Sequence, residues 1–328
     1  MEHPIVAVVL AGGTGTRLYP ASRPDRPKQM LSFGTDRSLL AATVDRAAIA
    51  DEVYVLTRAD LAATVREAVP GAAVITEPTP RDTGPALAYA AHRIREQVGE
   101  AVMWCLPSDH RIGGDFAGTM KRATTAAVQS DGLVTVGIEP DRPATGYGYL
   151  EPGSWHDGYR TVNRFVEKPD VESAREYVAN GYLWNAGIFA WTPTAFLQAA
   201  AETPLGEMVA ALDAGEPERA FECAPTISVD RAVLERADDV FVVPADFDWS
   251  DLGTWDAVWR SLPTDGEGIA TLGDGMALDC ENCLLASDGH VAAVGLSDLI
   301  VASFGDRTLV VPRGETERVR EVVDQLES

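Results

Sequence analysis

Over the first 138 residues, short β-rich runs alternate with alanine-rich helical patterns, and this alternation leaves few folds open. The runs are IVAVVL (5–10), EVYVLT (52–57), AAVITE (72–77), AVMWCL (101–106) and LVTVGI (133–138). Between them lie SLLAATVDRAAIA, ADLAATVREAV, TGPALAYAAHRIREQV and DFAGTMKRATTAAVQ, with apolar residues at helical spacing. Strands that alternate with helices pair in parallel and are covered on both faces. The expected fold class is therefore α/β, a Rossmann-like, mostly parallel sheet with helices on both faces. Such sheets bind ligands beyond the carboxyl ends of their strands. LAGGTGTRLYP (10–20) and PSDH (107–110) fall at two such ends.

From about residue 145 the texture changes. TGYGYLEP and YRTVNRFVEKP alternate like antiparallel strands, helices are expected over 170–180 and 193–237, and VFVVPADFDWSDLGTWDAVW reads as strand, loop and helix. After Pro263 come short glycine-punctuated β segments, GIATLG, CLLAS, HVAAVGL, LIVASFG and RTLVVP, spaced like the coils of a small solenoid. A helix, ETERVREVVDQLE, closes the chain. The expected division is a catalytic domain over 1–262 and a small β-rich, helical-β domain over 263–328. That second domain carries no candidate catalytic residue, so its expected role is support of the first or a homodimer interface.

The net charge of −23 argues against nucleic acids and anionic membranes as partners. No apolar run approaches the roughly 18 residues of a membrane span, and the N-terminus has no basic signal-peptide region. Four scattered cysteines (105, 223, 280, 283) point to a reducing compartment, and hence to the cytoplasm. Cys280 and Cys283 form C-x-x-C without a second pair, so they read as structural. The five histidines are isolated, and none is assigned to catalysis.

The loop after the first strand invites an anion. Gly12, Gly13 and Gly15 let backbone N–H groups approach one closely, and Arg17 adds a planar fork of donors. Two common phosphate motifs do not fit. Leu18 occupies the place of the third glycine of G-x-G-x-x-G, and Gly15 leads into Thr16 and Arg17, not into the Lys-Ser/Thr of a Walker loop. Taken alone, the cluster suits a tight turn equally well. Its neighbourhood adds weight: Arg17, Arg23, Arg26, Lys28 and Arg37 against Asp25 and Asp36 make a net +3 island over residues 17–37. The chain has 24 arginines and only three lysines, so Lys28 and Lys168, each beside a proline, mark places that need a compact ammonium. Lys121 reads as a helix-surface residue.

Acidic and amide candidates accompany these cations. Asp109 in LPSDH and Asp251 in DWSDLGTW offer two carboxylates for a hard cation such as Mg²⁺, though each also suits a turn or helix N-cap. In RFVEKP (164–169), Glu167 and Lys168 point to opposite faces of a strand and serve different contacts, or they simply end an exposed strand. Asn185 in WNAGIF suits a sugar hydroxyl over an apolar platform, or a buried amide satisfied by backbone. Glu77 and Asp82 in EPTPRDTGPALAYAA offer acceptors for the N1–H and N2–H₂ of guanine, while Asp82 or Thr83 also suits an N-cap.

Taken in order, LAGGTGTRLYPASRPDRPKQMLSF, EPTPRDTGPA, LPSDH, TGYGYL, FVEKP, WNAGIF, SVDRAVLE and DWSDLGTWDAVW make the sequence resemble the sugar-1-phosphate nucleotidyltransferases. Within that family it is most similar to the branch that joins GTP to mannose 1-phosphate. The resemblance implies that Leu10, Ala11, Gly12, Gly13, Gly15 and Thr16 wrap the triphosphate, with Arg17 and Lys28 on its phosphates. It implies that Glu77, Asp82 and Asp109 contact the nucleotide, and that Asp109 and Asp251 ligate Mg²⁺. Glu167, Asn185 and the backbone near Gly148 would bind sugar hydroxyls, and Lys168 the sugar phosphate. Departures exist: Asp82 stands where Asn is common, Gly84 where Ala is common, and Tyr19 where Trp is common. The isomerase domain of longer, bifunctional relatives is not expected in these 328 residues. The chemistry needs no His or Cys, because a phosphate monoester is already an anionic nucleophile. The alternatives are the same reaction on another nucleotide and sugar 1-phosphate, or a catalytically silent nucleotide-sugar-binding regulator.

Overall fold

The computed structural model describes residues 3–13 and 15–326. Contacts cluster the chain into two compact units. The first comprises the chain up to Gly12 with Val44–Pro107 and Ile112–Trp249, and the second comprises Gly13–Thr43, Ser108–Arg111 and the chain from Ser250 onward.

Among the described residues the first unit is built on a nine-stranded sheet. The strands in chain order are β1 (Ile5–Leu10), β2 (Glu52–Arg58), β3 (Ala73–Glu77), β4 (Val102–Pro107), β5 (Arg111–Gly114) and β6 (Leu133–Ile138). They continue as β7 (Gly148–Trp155), β8 (Arg160–Glu167), β9 (Leu183–Trp191), β10 (Val240–Pro244) and β11 (Phe247–Ser250). The sheet runs β3-β2-β1-β4-β9-β6-β10-β8-β7, with β7 also paired to β9, while β5 pairs separately with β11. β1, β2, β3 and β4 are mutually parallel, as are β6 and β10. β9 runs antiparallel to both β4 and β6, and β8 runs antiparallel to β10 and β7. The sheet is thus mostly parallel, with β8 and β9 reversed.

The five strands expected in the first half are all present. Val6, Val8 and Val9 of β1 are fully buried, as a strand covered on both faces requires. Alanine-rich helices lie against this sheet. The helix Thr83–Gln97 buries Ala86, Leu87, Ala88, Ala90, Ala91 and Ile94, whose small side chains let its backbone come close. The stretch 193–237 is helical in pieces: Pro193–Ala201, Gly206–Asp213, Pro217–Cys223 and one π-helical turn, Asp230–Leu234. Among the described residues no helix is long and apolar enough to cross a membrane.

The second unit contains the C-terminal strands β12 (Ala270–Leu278), β13 (Leu284–Val294), β14 (Leu299–Phe304) and β15 (Arg307–Pro312). β12, β13 and β14 stack in parallel through short connections, and β15 returns antiparallel, so the solenoid spacing corresponds to real coils. CLLAS and HVAAVGL, separate in the sequence reading, form the single strand β13. Its core joins Ile300, Ala302, Phe304 and Leu309 to Leu18, Leu31, Phe33 and Trp255 from distant parts of the chain. The final helix is shorter than expected, Val319–Leu326, preceded by a 3₁₀ turn at Arg313–Arg318.

Candidate active site

In the second unit, the glycine loop and the two candidate aspartates meet at one ammonium. Gly15 has φ +65°, and a Cβ there would overlap the Lys28 side chain, so backbone conformation and packing both require glycine. Thr16 and Arg17 form the 3₁₀ turn Thr16–Leu18, anchored by the fully buried Leu18. Ser22 Oγ donates to the Gly15 carbonyl at 2.5 Å, and Gln29 Nε2 donates to that of Gly13 at 3.0 Å. Lys28 is only 4% exposed. Its Nζ donates to Asp109 Oδ2 at 2.7 Å and also to the main-chain carbonyl of Asp251. Burial alone would raise the Asp109 carboxyl, but the Lys28 ammonium, with His110 beside it, holds it below the ordinary carboxylate range. Arg17 is half-exposed, and its Nη1 lies 3.6 Å from Glu317 Oε2 of the C-terminal turn.

Asp251 is not an N-cap. The helix Trp255–Ser261 is capped by Thr254, whose side chain accepts from Ala257 N at 3.2 Å. The Asp251 carboxylate instead accepts from Gly253 N at 3.1 Å. Two carboxyl-bearing residues gathered at one buried ammonium form an oxygen-rich setting where Lys28 stands as the resident cation. Among the described residues no three His, Cys, Asp or Glu side chains converge to hold a metal. The Asp109 carboxylate and the Asp251 main-chain carbonyl are the oxygens that meet this ammonium.

The first unit holds the remaining candidates. Ala11 is pinned on both sides: its N–H donates to the Leu56 carbonyl at 2.8 Å, and its carbonyl accepts from Thr57 Oγ1 at 2.9 Å. Leu10 ends β1, so Leu10, Ala11 and Gly12 leave the sheet in a fixed direction. Glu77 ends β3 directly opposite Arg58 of β2, and a Cβ on Gly12 would lie 3.3 Å from its Oε1. Burial pushes the Glu77 carboxyl up to about 7, against the opposing charge of Arg58. Asp82, at φ 71°, is the N-cap of Thr83–Gln97, with Oδ1 accepting from Thr83 N at 2.7 Å.

Gly148, Glu167 and Asn185 are brought together by strand register. Gly148 of β7 is opposite Glu167 of β8, and Tyr149 pairs with Trp184 of β9. A Cβ on Gly148 would lie 2.7 Å from Glu167 Oε2 and 3.4 Å from Asn185 Cβ, so this glycine is required by close approach. Glu167 ends β8 and Lys168 follows it at φ 51°, so the two do not alternate across a strand as expected: Lys168 Nζ, on a side chain more than half exposed, donates to Oε1 of Glu167, whose side chain is 8% exposed. Trp184 contacts Tyr147 edge-on at 5.0 Å and carries the Arg142 guanidinium 4.9 Å above its ring. Asn185 Nδ2 donates to Asp230 Oδ1 at 2.8 Å, and its Oδ1 accepts from Thr135 Oγ1 at 2.8 Å. The sequence alone does not single out Thr135, Asp230 or His110. Asp230 and His110 do lie within motifs, SVDRAVLE and LPSDH, and Thr135 lies within none.

All four cysteines are free, and Cys105, Cys280 and Cys283 are buried. Burial raises the Cys283 thiol, so it stays protonated and inert.

Comparison with known proteins gives the family of the chain. Residues 6–267 match the family described as nucleotidyl transferase, and residues 266–326 match the MannoseP isomerase/GMP-like beta-helix domain. The xanthan biosynthesis protein XanB of Xanthomonas campestris pv. campestris (strain B100) is 35% identical, over 99% of this chain and 73% of its own. A mannose-1-phosphate guanylyltransferase of Escherichia coli (strain K12) is 34% identical, over 100% of this chain and 74% of its own. A crystal structure described as mannose-1-phosphate geranyltransferase from Thermus thermophilus superposes with a TM-score of 0.93 at 35% identity, covering 99% of both chains. With the expected α/β fold, the β-helix tail and the full-length match in place, this chain belongs to the nucleotidyl transferase family.

Proposed function

We propose that this chain transfers GMP from GTP to α-D-mannose 1-phosphate, giving GDP-mannose and pyrophosphate. The carrying observation is the buried Lys28 ammonium, packed on Gly15 of the glycine loop and bonded to Asp109 and the Asp251 main chain. A fixed cation beside a glycine loop suits a polyphosphate, and the name of the E. coli relative supports the choice of substrates. The charge of −23 and the free cysteines support a cytoplasmic enzyme of small molecules, without nucleic acid or membrane partners.

In this reading the backbone of Leu10, Ala11, Gly12, Gly13, Gly15 and Thr16 wraps the triphosphate. Arg17 and Lys28 neutralise charge on its phosphates, and Glu77 accepts from the guanine edge. Asp82, engaged as a cap through Oδ1, has its other oxygen to offer the base. Gly148, Glu167 and Asn185 hold the sugar hydroxyls, and Lys168 swings from Glu167 to the sugar phosphate. An oxygen of that phosphate monoester, already ionised, attacks the α-phosphorus in line, and pyrophosphate leaves. No side chain needs to remove a proton, so catalysis is positioning and charge neutralisation. Members of the family typically use a divalent cation. Asp109 and Asp251 would hold Mg²⁺, which when bound lowers the charge on the phosphates. The domain over 1–262 carries these residues, and 263–328 supports them or a homodimer.

Pyrophosphate release measured across a grid of nucleoside triphosphates and sugar 1-phosphates tests the reading. GTP with mannose 1-phosphate should give the highest kcat/KM. A strong preference for dTTP or UTP would overturn the substrate assignment, and no release with any pair would point to a silent nucleotide-sugar regulator.

A further inference from the structure

Asn185 is held more tightly than a ligand-facing amide needs to be for its own sake. Its Oδ1 accepts from Thr135 Oγ1 at 2.8 Å and from Gly187 N at 3.2 Å, which uses both lone pairs. Its Nδ2 donates one proton to Asp230 Oδ1 at 2.8 Å. Flipping the amide would set N–H against the Gly187 N–H and oxygen against a carboxylate, so its orientation is locked. Among the described residues, one N–H is left for a ligand.

The acid that locks it is an expensive choice. Burial first, and then the charge of Glu167, push the Asp230 carboxyl up to about 6, with Asn185 and Lys168 opposing. It is ionised at neutral pH beside another acid, where a backbone carbonyl would hold the amide without that cost. Asp230 also opens the π-helical turn Asp230–Leu234, a local widening frequent at functional sites.

We propose that Asp230 is a specificity-determining residue of the sugar subsite, presenting with Asn185 a paired acceptor and donor that together demand one sugar hydroxyl. This rests on the reading that Asn185 faces the sugar. The hydroxyl accepts from the remaining Asn185 N–H and donates to the Asp230 carboxylate. A sugar lacking it leaves both groups buried and unpaired, which sites of this kind reject strongly.

The test uses the full-length enzyme, GTP, mannose 1-phosphate, its 2-, 3- and 4-deoxy analogues and glucose 1-phosphate. The variants are Asp230→Asn, which keeps shape and can still accept from Asn185, and Asp230→Ala. Wild type should disfavour one analogue by roughly 10³-fold or more in kcat/KM. In both variants KM for mannose 1-phosphate should rise by roughly 10–100-fold, KM for GTP should stay within about twofold, and discrimination against that analogue should fall below about tenfold. Sugar phosphate binding without nucleotide is read separately from the change in intrinsic tryptophan fluorescence, to which Trp184 and Trp249, with rings 6.4 Å apart, contribute. Undiminished discrimination in Asp230→Asn, or an equal rise in both KM values, overturns the assignment while leaving the proposed reaction standing. A wild-type protein with neither turnover nor a fluorescence response to mannose 1-phosphate overturns the reaction and this assignment with it.

Discussion

The two candidate clusters are built by different means. Gly148, Glu167 and Asn185 sit on strands joined by backbone ladders, so register places them and no single side chain is needed to hold the others. Lys28, Asp109 and Asp251 share no sheet: Lys28 reaches 81 residues along the chain to one partner and 223 to the other. Their support is a core of Leu18, Trp255, Phe304 and their neighbours, plus their own charges. In the ladder cluster the strand backbone supplies the positions, and Asp230 orients only the Asn185 amide. In the loop cluster the charges that would do chemistry also hold the geometry, so one substitution should damage both.

The largest effects should therefore come from the loop cluster, and the two aspartates separate its two roles. Asp109→Asn removes a candidate metal ligand and the carboxylate partner of a buried ammonium, so turnover should fall by about 3 kcal/mol or more, with some loss of stability. Asp251→Asn leaves its main-chain bond to Lys28 and still offers an acceptor to Gly253 N. Its effect should fall on Mg²⁺ affinity and turnover, with metal-free thermal stability near wild type. If both serve one ion, the double variant loses less than the sum of the singles. Rate against Mg²⁺ concentration, with melting curves, measures this. Unchanged metal dependence in both singles would leave the metal unassigned.

The same contrast explains what was legible in the sequence. Strands such as IVAVVL and LVTVGI announce themselves as continuous apolar runs, and the parallel α/β sheet follows from their alternation with helices. β9 is harder to read, because WNAGIFAW is buried on both faces and carries neither a period nor a direction. Nothing local marks it as the reversed strand between β4 and β6. Lys28 stood out by rarity, yet its pairing with Asp109 has no local signal, since long-range ion pairs leave no period in a sequence. The Asp251 ambiguity was real: DWSDLGTW offers both Asp251 and Thr254 as caps, and only the helix start at Trp255 decides. Asp230 lay in a stretch that reads as ordinary helix, and the π turn that turns it toward Asn185 is invisible to helical periodicity.

A smaller effect probes the ladder cluster. Gly148→Ala places a methyl 2.7 Å from Glu167 Oε2 and 3.0 Å from Phe165 Cζ, so Glu167 must shift. Overpacking of this kind costs about 1–3 kcal/mol. Because the ladder holds the strands, that cost should appear as weaker mannose 1-phosphate binding, not as unfolding. Isothermal titration with each substrate separates the outcomes. Equal loss for GTP would mean that register does not insulate this cluster.

The smallest effect concerns Glu77, a side chain of the first unit that stands at the end of β3 opposite Arg58. Burial sets its carboxyl at about 7, above the usual carboxylate range, so it is mostly neutral at pH 6 and mostly ionised at pH 8. As an acceptor for guanine N1–H and N2–H₂ it works best ionised. GTP affinity should therefore rise with pH across that window, by roughly tenfold or about 1.4 kcal/mol. The phosphates of GTP titrate nearby, so the informative quantity is the ratio of wild type to Glu77→Gln, in which their contribution cancels. That ratio should climb between pH 6 and 8 and level off above, while Arg58, opposite Glu77, limits how far the midpoint can rise. ITP, which lacks the N2 amine, should show a shallower climb. A ratio flat with pH for GTP would remove Glu77 from base recognition and leave its burial as a packing feature of the β3 end.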